Sequence, residues 1–397
     1  MNEPIMTFAR LLAPVTPDAF FDQYYEKKPL YVEGSREKVA GVCDWDDFNE
    51  LIAKTGVWSD QTFKMVIDTV RVPSPDYCER APGRDGFSLY IPEPHKVQKQ
   101  LDKGASIVLD LVETLSPGIR DVARSLEMAL ATRVSCNAYC SQNQRKAFPS
   151  HFDSMEVFAL HVEGTKAWNV YEGRFEDPLE APGYEHTSFP PEYHEKAKGG
   201  LMMEIEMKPG DLLYLPKGWY HDALASSDAC LHLSFSTAQT TGLNFARWLV
   251  GSLDQIPVFR KPMPPHDDAA GYEARVAELR DALMDVLARP EVISQFKEEQ
   301  KAKAFGSITS VTIPKSGRWY RVRGRGVKVV RRGKDWQVTT PAGKGLLPEG
   351  GEAVVTWLLQ RDLFRSGDLA AAMPQADEQK QVEMLQALSA VGVIEAL

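Results

Sequence analysis

The sequence predicts an α+β protein with a β-sandwich or barrel at its centre, a helical segment after it and a small mixed domain at the end. Three observations predict this arrangement. From about residue 134 to 240, short apolar stretches alternate with glycine and proline turns, as in sandwiches and barrels. Residues 263–305 carry apolar side chains at helical spacing. Residues 306–397 contain short strand-like stretches followed by three helical ones.

The N-terminal region is predicted to be a scaffold of helices and one short strand. Thr16 can act as an N-cap and Pro17 suits the first helical position, so a helix should begin here and end before Pro29. A short strand over residues 30–32 follows. Asp44 can cap a second helix, because apolar residues recur at helical spacing after it.

Sharp turns separate the predicted strands of the central region. Glu163-Gly164 and Pro209-Gly210-Asp211 have the composition that tight turns need. The predicted strands cover residues 155–162, 166–171, 202–207, 212–216 and 230–236.

An apolar stripe marks the helical segment, and it stops at Pro290. Such a stripe packs either against its own chain or against a second copy, and we expect a homodimer. The members of the stripe are Val276, Leu279, Leu283, Val286 and Leu287.

Charge and cysteine content exclude several classes of protein. A formal net charge of -9 argues against a protein that coats nucleic acid over its whole surface. The five cysteines are an odd number spread along the chain, so reduced, buried thiols are expected rather than a disulfide framework. The sequence has no long apolar run and no targeting pattern at its start, and a cytoplasmic location is expected.

Residues 315–334 form a basic stretch without an acid in an otherwise acidic chain. It could contact RNA, or it could be a hairpin with a solvated basic face, tipped by Gly324-Arg325-Gly326. Its basic residues are Lys315, Arg318, Arg321, Arg323, Arg325, Lys328, Arg331, Arg332 and Lys334.

His151, Asp153 and His221 are candidate metal ligands. The first two lie two residues apart, so on an extended strand both side chains project from one face. His221 follows a turn, an apolar strand and a proline-closed loop that would bring it to the mouth of the same barrel. Two histidines and one carboxylate form the facial triad typical of non-haem Fe(II), which leaves positions open for a cosubstrate and O2.

Zinc is the alternative metal, because hydrolytic zinc sites use the same types of ligand. Lys166 separates the two interpretations. It begins the strand after the Glu163-Gly164 turn, where its side chain could point into the barrel, and a buried cation needs an anionic partner. A dicarboxylate that chelates the metal at one end and pairs with Lys166 at the other fits this pattern and favours iron.

Residues 151–160, 163–171 and 209–221 resemble the JmjC ribosomal oxygenases. The likeness extends to Lys28-Pro29-Leu30 and to the later helical and C-terminal regions, so it spans nearly the whole chain. It implies a double-stranded β-helix, the jelly roll of JmjC and cupin proteins.

The resemblance also implies a division of the chain into three parts. A JmjC oxygenase domain would occupy residues 1–248, with its catalytic core at about 90–240. A helical dimerisation region would follow at residues 249–305, and a winged-helix-like domain at residues 306–397.

Individual roles follow from the same resemblance. His151, Asp153 and His221 would be the metal ligands and thereby the catalytic residues, and Lys166 would bind the distal carboxylate of 2-oxoglutarate. Further residues expected in the pocket are Asn137, Ser234 and Ser236 for the cofactor and Tyr139 for the substrate.

The implied activity is Fe(II)-dependent hydroxylation of a protein side chain, in which 2-oxoglutarate and O2 are consumed and succinate and CO2 are released. The expected substrate is a ribosomal protein, modified at arginine or histidine. Arginine-modifying bacterial members carry an arginine where this chain has Lys166, so the target residue stays open. The alternatives are a peptide or small-molecule hydroxylase on the same scaffold, and a non-catalytic protein- or RNA-binding module.

Overall fold

Short helices and strands lead into the central sheets. A computed structural model of the chain describes residues 6–82, 88–142, 149–237, 239–305, 318–323, 327–332, 335–340, 343–347, 350–373 and 376–397. The first elements are α1 (Phe8–Leu12), α2 (Pro17–Gln23), β1 (Leu30–Val32), α3 (Arg36–Val39), α4 (Trp45–Ala53), β2 (Phe63–Ile67), β3 (Val70–Arg71), α5 (Ser74–Tyr77), β4 (Cys78–Pro82), β5 (Ser88–Pro92), α6 (Pro94–Leu101), β6 (Ser106–Leu109) and α7 (Pro117–Leu130).

The two predicted helix starts in this region are confirmed. The Thr16 side chain accepts a hydrogen bond from the Ala19 backbone at the start of α2. Asp44 and Asp47 form a reciprocal capping box at the start of α4.

Every predicted strand of the central region is present, with bounds shifted by at most three residues. Its elements are β7 (Val134–Gln142), β8 (Glu156–Glu163), β9 (Lys166–Arg174), α8 (Pro191–Ala197), β10 (Leu201–Met207), β11 (Leu212–Leu215), β12 (Trp219–Ala225) and β13 (Ala229–Thr237).

Two antiparallel sheets face each other in the central region. One has eight strands in the order β1-β11-β8-β13-β7-β6-β2-β3, and the other has three in the order β10-β9-β12. Val157 and Leu213 of the larger sheet share an apolar cluster with Trp168 and Ile205 of the smaller one. The predicted α+β class and the predicted sandwich or barrel are therefore confirmed.

The outer face of the larger sheet packs against the N-terminal helices. The ring of Phe20 in α2 lies 5.9 Å from that of Phe158 and 4.8 Å from that of Tyr214. As a result, β8 is buried on both faces along its whole length. The carboxylate of Glu163, at the end of β8, accepts hydrogen bonds from Nη1 and Nη2 of Arg36 at 2.8 and 2.9 Å.

The segment after β13 is helical, as predicted. Its elements are α9 (Gly242–Ser252), α10 (Pro257–Arg260), α11 (Ala269–Leu287) and α12 (Pro290–Phe305). The predicted apolar stripe divides along α11. Val286 is buried in a cluster with Leu249 of α9 and Val292 of α12, whereas Val276 and Leu287 are exposed in the single chain.

The C-terminal region has an apolar core of its own. Its elements are β14 (Trp319–Val322), β15 (Lys328–Arg332), β16 (Asp335–Thr340), β17 (Gly343–Leu347), α13 (Gly351–Leu358), β18 (Leu363–Arg365), α14 (Leu369–Ala372), α15 (Glu378–Ala390) and β19 (Ile394–Ala396).

The predicted basic hairpin is wrong. β14 pairs with β18 and β19, whereas β15 pairs with β16, so the two basic strands are not partners. The pairing with β19 places Glu395 beside Arg321 and Arg323, which gives these cations an acidic neighbour. Lys315, Lys334 and Gly324-Arg325-Gly326 lie outside the described residues.

Two further expectations can be compared with the structure. All five cysteines are buried and free, as predicted. Within the described ranges, no helix combines the length and the apolar character needed to cross a membrane.

Candidate active site

Backbone pairing brings the three predicted metal ligands together. His151 and His221 form an antiparallel bridge, in which each backbone N–H donates to the carbonyl of the other at 3.0 and 2.9 Å. The Gly218 N–H donates to the Asp153 carbonyl at 2.8 Å. These bonds fix the segment before β8 against the start of β12, so that three side chains from two distant stretches converge.

The distances among these side chains suit one metal ion. Nε2 of His151 lies 3.8 Å from one carboxylate oxygen of Asp153, and Nε2 of His221 lies 3.6 Å from the other. One donor atom from each residue falls within 4.8 Å of the others. Two imidazole nitrogens and one carboxylate on one side of an ion form the arrangement found in non-haem Fe(II) oxygenases.

In both histidines the hydrogen bonds leave Nε2 as the atom that could bind a metal. Nδ1 of His151 donates to the Pro149 carbonyl at 2.8 Å, and Nδ1 of His221 donates to the Trp219 carbonyl at 3.0 Å. Since Nδ1 carries the proton, the lone pair lies on Nε2. Burial, followed by the neighbouring His221, lowers the pKa of His151, which favours the neutral ring that binds metals.

A cavity of about 210 Å³ between the two sheets contains the triad. Lys166 and Tyr139, two more of the predicted site residues, line the same cavity. The full lining consists of Tyr139, His151, Asp153, Val157, Lys166, Trp168, His186, His221, Ala223, His232 and Ser234.

Lys166 places a buried cation in this cavity. Its side chain is 3% exposed, and Nζ donates to the neutral hydroxyl of Ser141 at 3.3 Å. Burial lowers its pKa, and the groups that oppose this effect are the thiols of Cys230 and Cys140 rather than a carboxylate. An ammonium group in such surroundings is stabilised by an anionic guest.

The sheet register sets the spacing between Lys166 and the triad. On β12, His221 pairs with Val170 of β9, and Ala225 pairs with Lys166. Four residues of strand span about 13 Å, and the lysine side chain covers part of that distance. The remaining space suits a short dicarboxylate with one end at the triad and the other at Lys166.

His232 belongs to the cavity and was not predicted from the sequence. It is 3% exposed, and its ring stacks on that of Tyr139 with centroids 4.9 Å apart. Burial, followed by the charge of Lys166, holds its pKa well below the usual range, so the ring is neutral. Strand alternation in β13 could have identified it, because His232, Ser234 and Ser236 lie on one face.

The remaining predicted pocket residues are only partly at the cavity. Ser234 lines it, whereas Ser236 and Asn137 are not among its lining residues in the part of the chain that the structure describes. The side-chain oxygen of Asn137 accepts a hydrogen bond from the Leu111 backbone at 3.4 Å. On the paired strand, Asn137 is opposite Ser234, one position beyond Tyr139 on the same face.

The segment between β9 and β10 contributes His186 to the lining of the cavity. The His186 ring lies 5.3 Å from that of His151, and the His186 carbonyl bonds to Nε2 of His194 at 2.9 Å. Nδ1 of His194 in turn contacts the Tyr220 hydroxyl at 2.9 Å. This chain of contacts attaches the segment to the residue next to His221, a feature that the sequence analysis missed.

Comparisons with known proteins agree with this geometry. A family model described as the JmjC domain matches residues 117–245. The chain is 28% identical over 234 residues to the bifunctional lysine-specific demethylase and histidyl-hydroxylase NO66 of Drosophila persimilis, a match that covers 59% of this chain and 32% of that protein. It is 27% identical to ribosomal oxygenase 1 of Rattus norvegicus, with coverage of 58% and 37%.

The chain therefore spans about a third of the length of these curated relatives. Among solved structures, the ribosomal oxygenase YcfD from Escherichia coli, in complex with cobalt and 2-oxoglutarate, is similar over 96% of this chain and 98% of that chain. The TM-score is 0.51 and the identity is 16%, so this likeness concerns the fold.

Proposed function

Because this chain carries a JmjC domain similar to those of the ribosomal oxygenases, we propose that it is an Fe(II)- and 2-oxoglutarate-dependent dioxygenase that hydroxylates a side chain of a ribosomal protein. One observation carries the proposal: the His151–Asp153–His221 triad shares its cavity with the buried cation of Lys166. A zinc hydrolase has no evident use for that cation, whereas a dicarboxylate cosubstrate needs it.

Each residue of the cavity has a distinct task in this proposal. Bound Fe(II) would supply the redox chemistry that couples decarboxylation of 2-oxoglutarate to hydroxylation of a C–H bond. His151, Asp153 and His221 would hold the ion. Lys166 binds the distal carboxylate of the cosubstrate, and the two sheets exclude water from around that ion pair.

A histidine side chain is the first target to test. The relatives quoted above include one named as a histidyl-hydroxylase, and the cation that faces the cosubstrate is a lysine here. Arginine is the second target, since the sequence leaves both open. His186 lines the cavity beside His151, so it would lie near the substrate side chain in either case.

The test measures succinate formed from 2-oxoglutarate by Fe(II)-loaded protein in air, with and without ribosomal extract. The protein should be purified anaerobically, and the extract should then be searched by mass spectrometry for the gain of one oxygen atom. We expect succinate formation to rise with extract and to fall to background in the Lys166→Ala and His151→Ala variants.

His266→Ala is the matched control, because His266 is an exposed histidine between α10 and α11. It should retain the full succinate yield. Absence of turnover by the parent protein under every condition would overturn the proposal and favour a zinc enzyme or a binding module. Turnover with a free peptide or metabolite, but not with extract, would favour a peptide or small-molecule hydroxylase on the same scaffold.

The oligomeric state and the C-terminal region are part of the same proposal. We propose that the exposed part of the α11 stripe pairs two chains over residues 249–305, and that residues 306–397 form a winged-helix-like domain whose cations contact ribosomal RNA. The cytoplasm, where ribosomal proteins are made, is the proposed location. A monomer mass in light scattering at micromolar concentration would contradict the pairing.

A further inference from the structure

Asp222, the residue after His221, is the centre of a buried hydrogen-bond cluster. It is 1% exposed. One of its carboxylate oxygens accepts from the Ser150 hydroxyl at 2.6 Å and from the Tyr171 hydroxyl at 2.8 Å. The other accepts from the Asn169 amide at 3.0 Å. A buried carboxylate is tolerated when it is hydrogen-bonded in this way.

The cluster links the two segments that carry the predicted ligands. Ser150 precedes His151, and Asp222 follows His221, so the side-chain bond between Ser150 and Asp222 lies beside the backbone bridge of the two histidines. Asn169 and Tyr171 hold the same carboxylate from β9, the central strand of the smaller sheet. The backbone bridge thus fixes the position of one histidine relative to the other, and the side-chain bonds of the two neighbouring residues reinforce it.

We infer that Asp222 is a positioning residue of the metal centre, acting through Ser150 to set the separation of His151 and His221. The inference rests on the proposed function, because it concerns the ion that the triad would hold. We refer to the bond between Ser150 and Asp222 as the clasp. Polar partners outside the ligand shell commonly set metal affinity in this way, by about 10- to 100-fold.

A buried carboxylate elsewhere in the fold shows that such clusters also serve purely structural ends. Asp211 is 2% exposed and likewise accepts hydrogen bonds, from the Tyr31 hydroxyl at 2.8 Å and the Gly34 backbone at 2.7 Å. Those partners belong to the N-terminal segment and not to the triad. The test must therefore separate an effect on the metal from an effect on stability.

Ser150→Ala and Tyr171→Phe form a matched pair. Each removes one hydroxyl donor from the same oxygen of Asp222, but only Ser150→Ala breaks the clasp. Ser150→Ala also removes a 3.4 Å contact with Lys198, whose ammonium keeps its 2.7 Å pairing with Glu195. Both substitutions should lower the thermal stability of the metal-free protein by similar amounts, since each deletes one bond to a buried carboxylate.

The readout is Co(II) binding without turnover, followed by the visible absorption of the bound ion. We expect Ser150→Ala to weaken Co(II) binding by about 10-fold and to change the absorption spectrum. Tyr171→Phe should leave both within about twofold of the parent. Asp222→Asn, which keeps the shape of the side chain but replaces one acceptor by a donor, should follow Ser150→Ala.

Equal effects of Ser150→Ala and Tyr171→Phe on Co(II) affinity, or no effect of either, would overturn the inference. If the parent protein binds no Co(II), the proposed metal site itself fails, and the clasp with it. If the parent protein binds Co(II) but forms no succinate, the oxygenase proposal is overturned and the inference about the clasp still stands.

Discussion

Replacing Lys166 by methionine should weaken cosubstrate binding and stabilise the free protein at the same time. Methionine retains most of the aliphatic chain and removes the charge, so the packing between the sheets is largely preserved. Breaking a buried ion pair by removing one partner costs about 3 to 5 kcal/mol. At about 1.4 kcal/mol per tenfold, the Kd for 2-oxoglutarate should rise by roughly a hundred- to several-thousand-fold.

The stability of the free protein should change in the opposite direction. Without a guest, the 3% exposed ammonium has the neutral Ser141 hydroxyl as its hydrogen-bond acceptor, which leaves the charge poorly solvated. Its removal should therefore stabilise the free protein by about 1 to 3 kcal/mol. Because burial lowers the pKa of Lys166 in the folded protein, this gain is fully present at a pH below that lowered pKa. It shrinks as the pH rises through it and is lost once the pH exceeds 10.5, where the unfolded lysine is also neutral.

Two measurements decide the matter: calorimetric titration with 2-oxoglutarate in the presence of Co(II), and thermal unfolding of the metal-free protein. Lys99→Met is the control, because Lys99 is an exposed lysine on α6, and it should change neither quantity. A Lys166→Met variant that binds 2-oxoglutarate normally, or that loses stability together with affinity, would refute the reasoning.

Three further predictions concern stability. Burial raises the pKa of Glu127 to about 7, so its ionisation destabilises the fold as the pH rises above about 4.5. In urea unfolding, Glu127→Gln should raise the free energy of unfolding by about 1 to 2 kcal/mol at pH 8 and leave it unchanged at pH 4, and an equal gain at both values would contradict this cause. Gly210 has φ +100°, and a Cβ there would lie 2.0 Å from the Ser35 carbonyl oxygen. Gly210→Ala should therefore lower the free energy of unfolding by about 3 kcal/mol or more, and an unchanged urea unfolding curve would contradict this. The guanidinium groups of Arg124 and Arg365 contact the half-buried Trp319 ring, at 5.1 and 4.6 Å from its centroid. Trp319→Ala should therefore lower stability by about 1 to 3 kcal/mol, seen as earlier thermal unfolding, and a parent-like melting curve would exclude this role.

Local patterns in the sequence were sufficient for the strands and for the convergence of the triad. Turn chemistry at Gly164 and Gly210 delimited the strands, and the spacing of His151 and Asp153 placed both on one face. His232 could have been found in the same way, because apolar and polar residues alternate along β13 and place His232 on one face with Ser234 and Ser236. β8 is buried along its whole length, so its sequence does not show which of its residues face the cavity.

Contacts between segments that are distant in the sequence account for the features that could not be predicted. The basic hairpin was predicted from two neighbouring strands, but β14 pairs with β18 and with the C-terminal strand β19, which are distant in sequence. The cluster around Asp222 has the same origin, because one donor, Ser150, precedes β8 and the other two, Asn169 and Tyr171, lie on β9. The residue pattern within a single strand or helix does not predict contacts between such distant segments.

The bridge between His151 and His221 also has a consequence for the stage of folding at which an ion could be bound. These residues come from segments that are distant in sequence, and His221 lies on β12, which pairs with β9. Because the entropy of closing long loops opposes such non-local pairings, we expect the bridge to form only as the sheets come together. We therefore expect the site to be formed by folding and not to drive it, unlike zinc fingers, which unfold when the metal is withdrawn. A chelator should then remove a bound ion without unfolding the barrel.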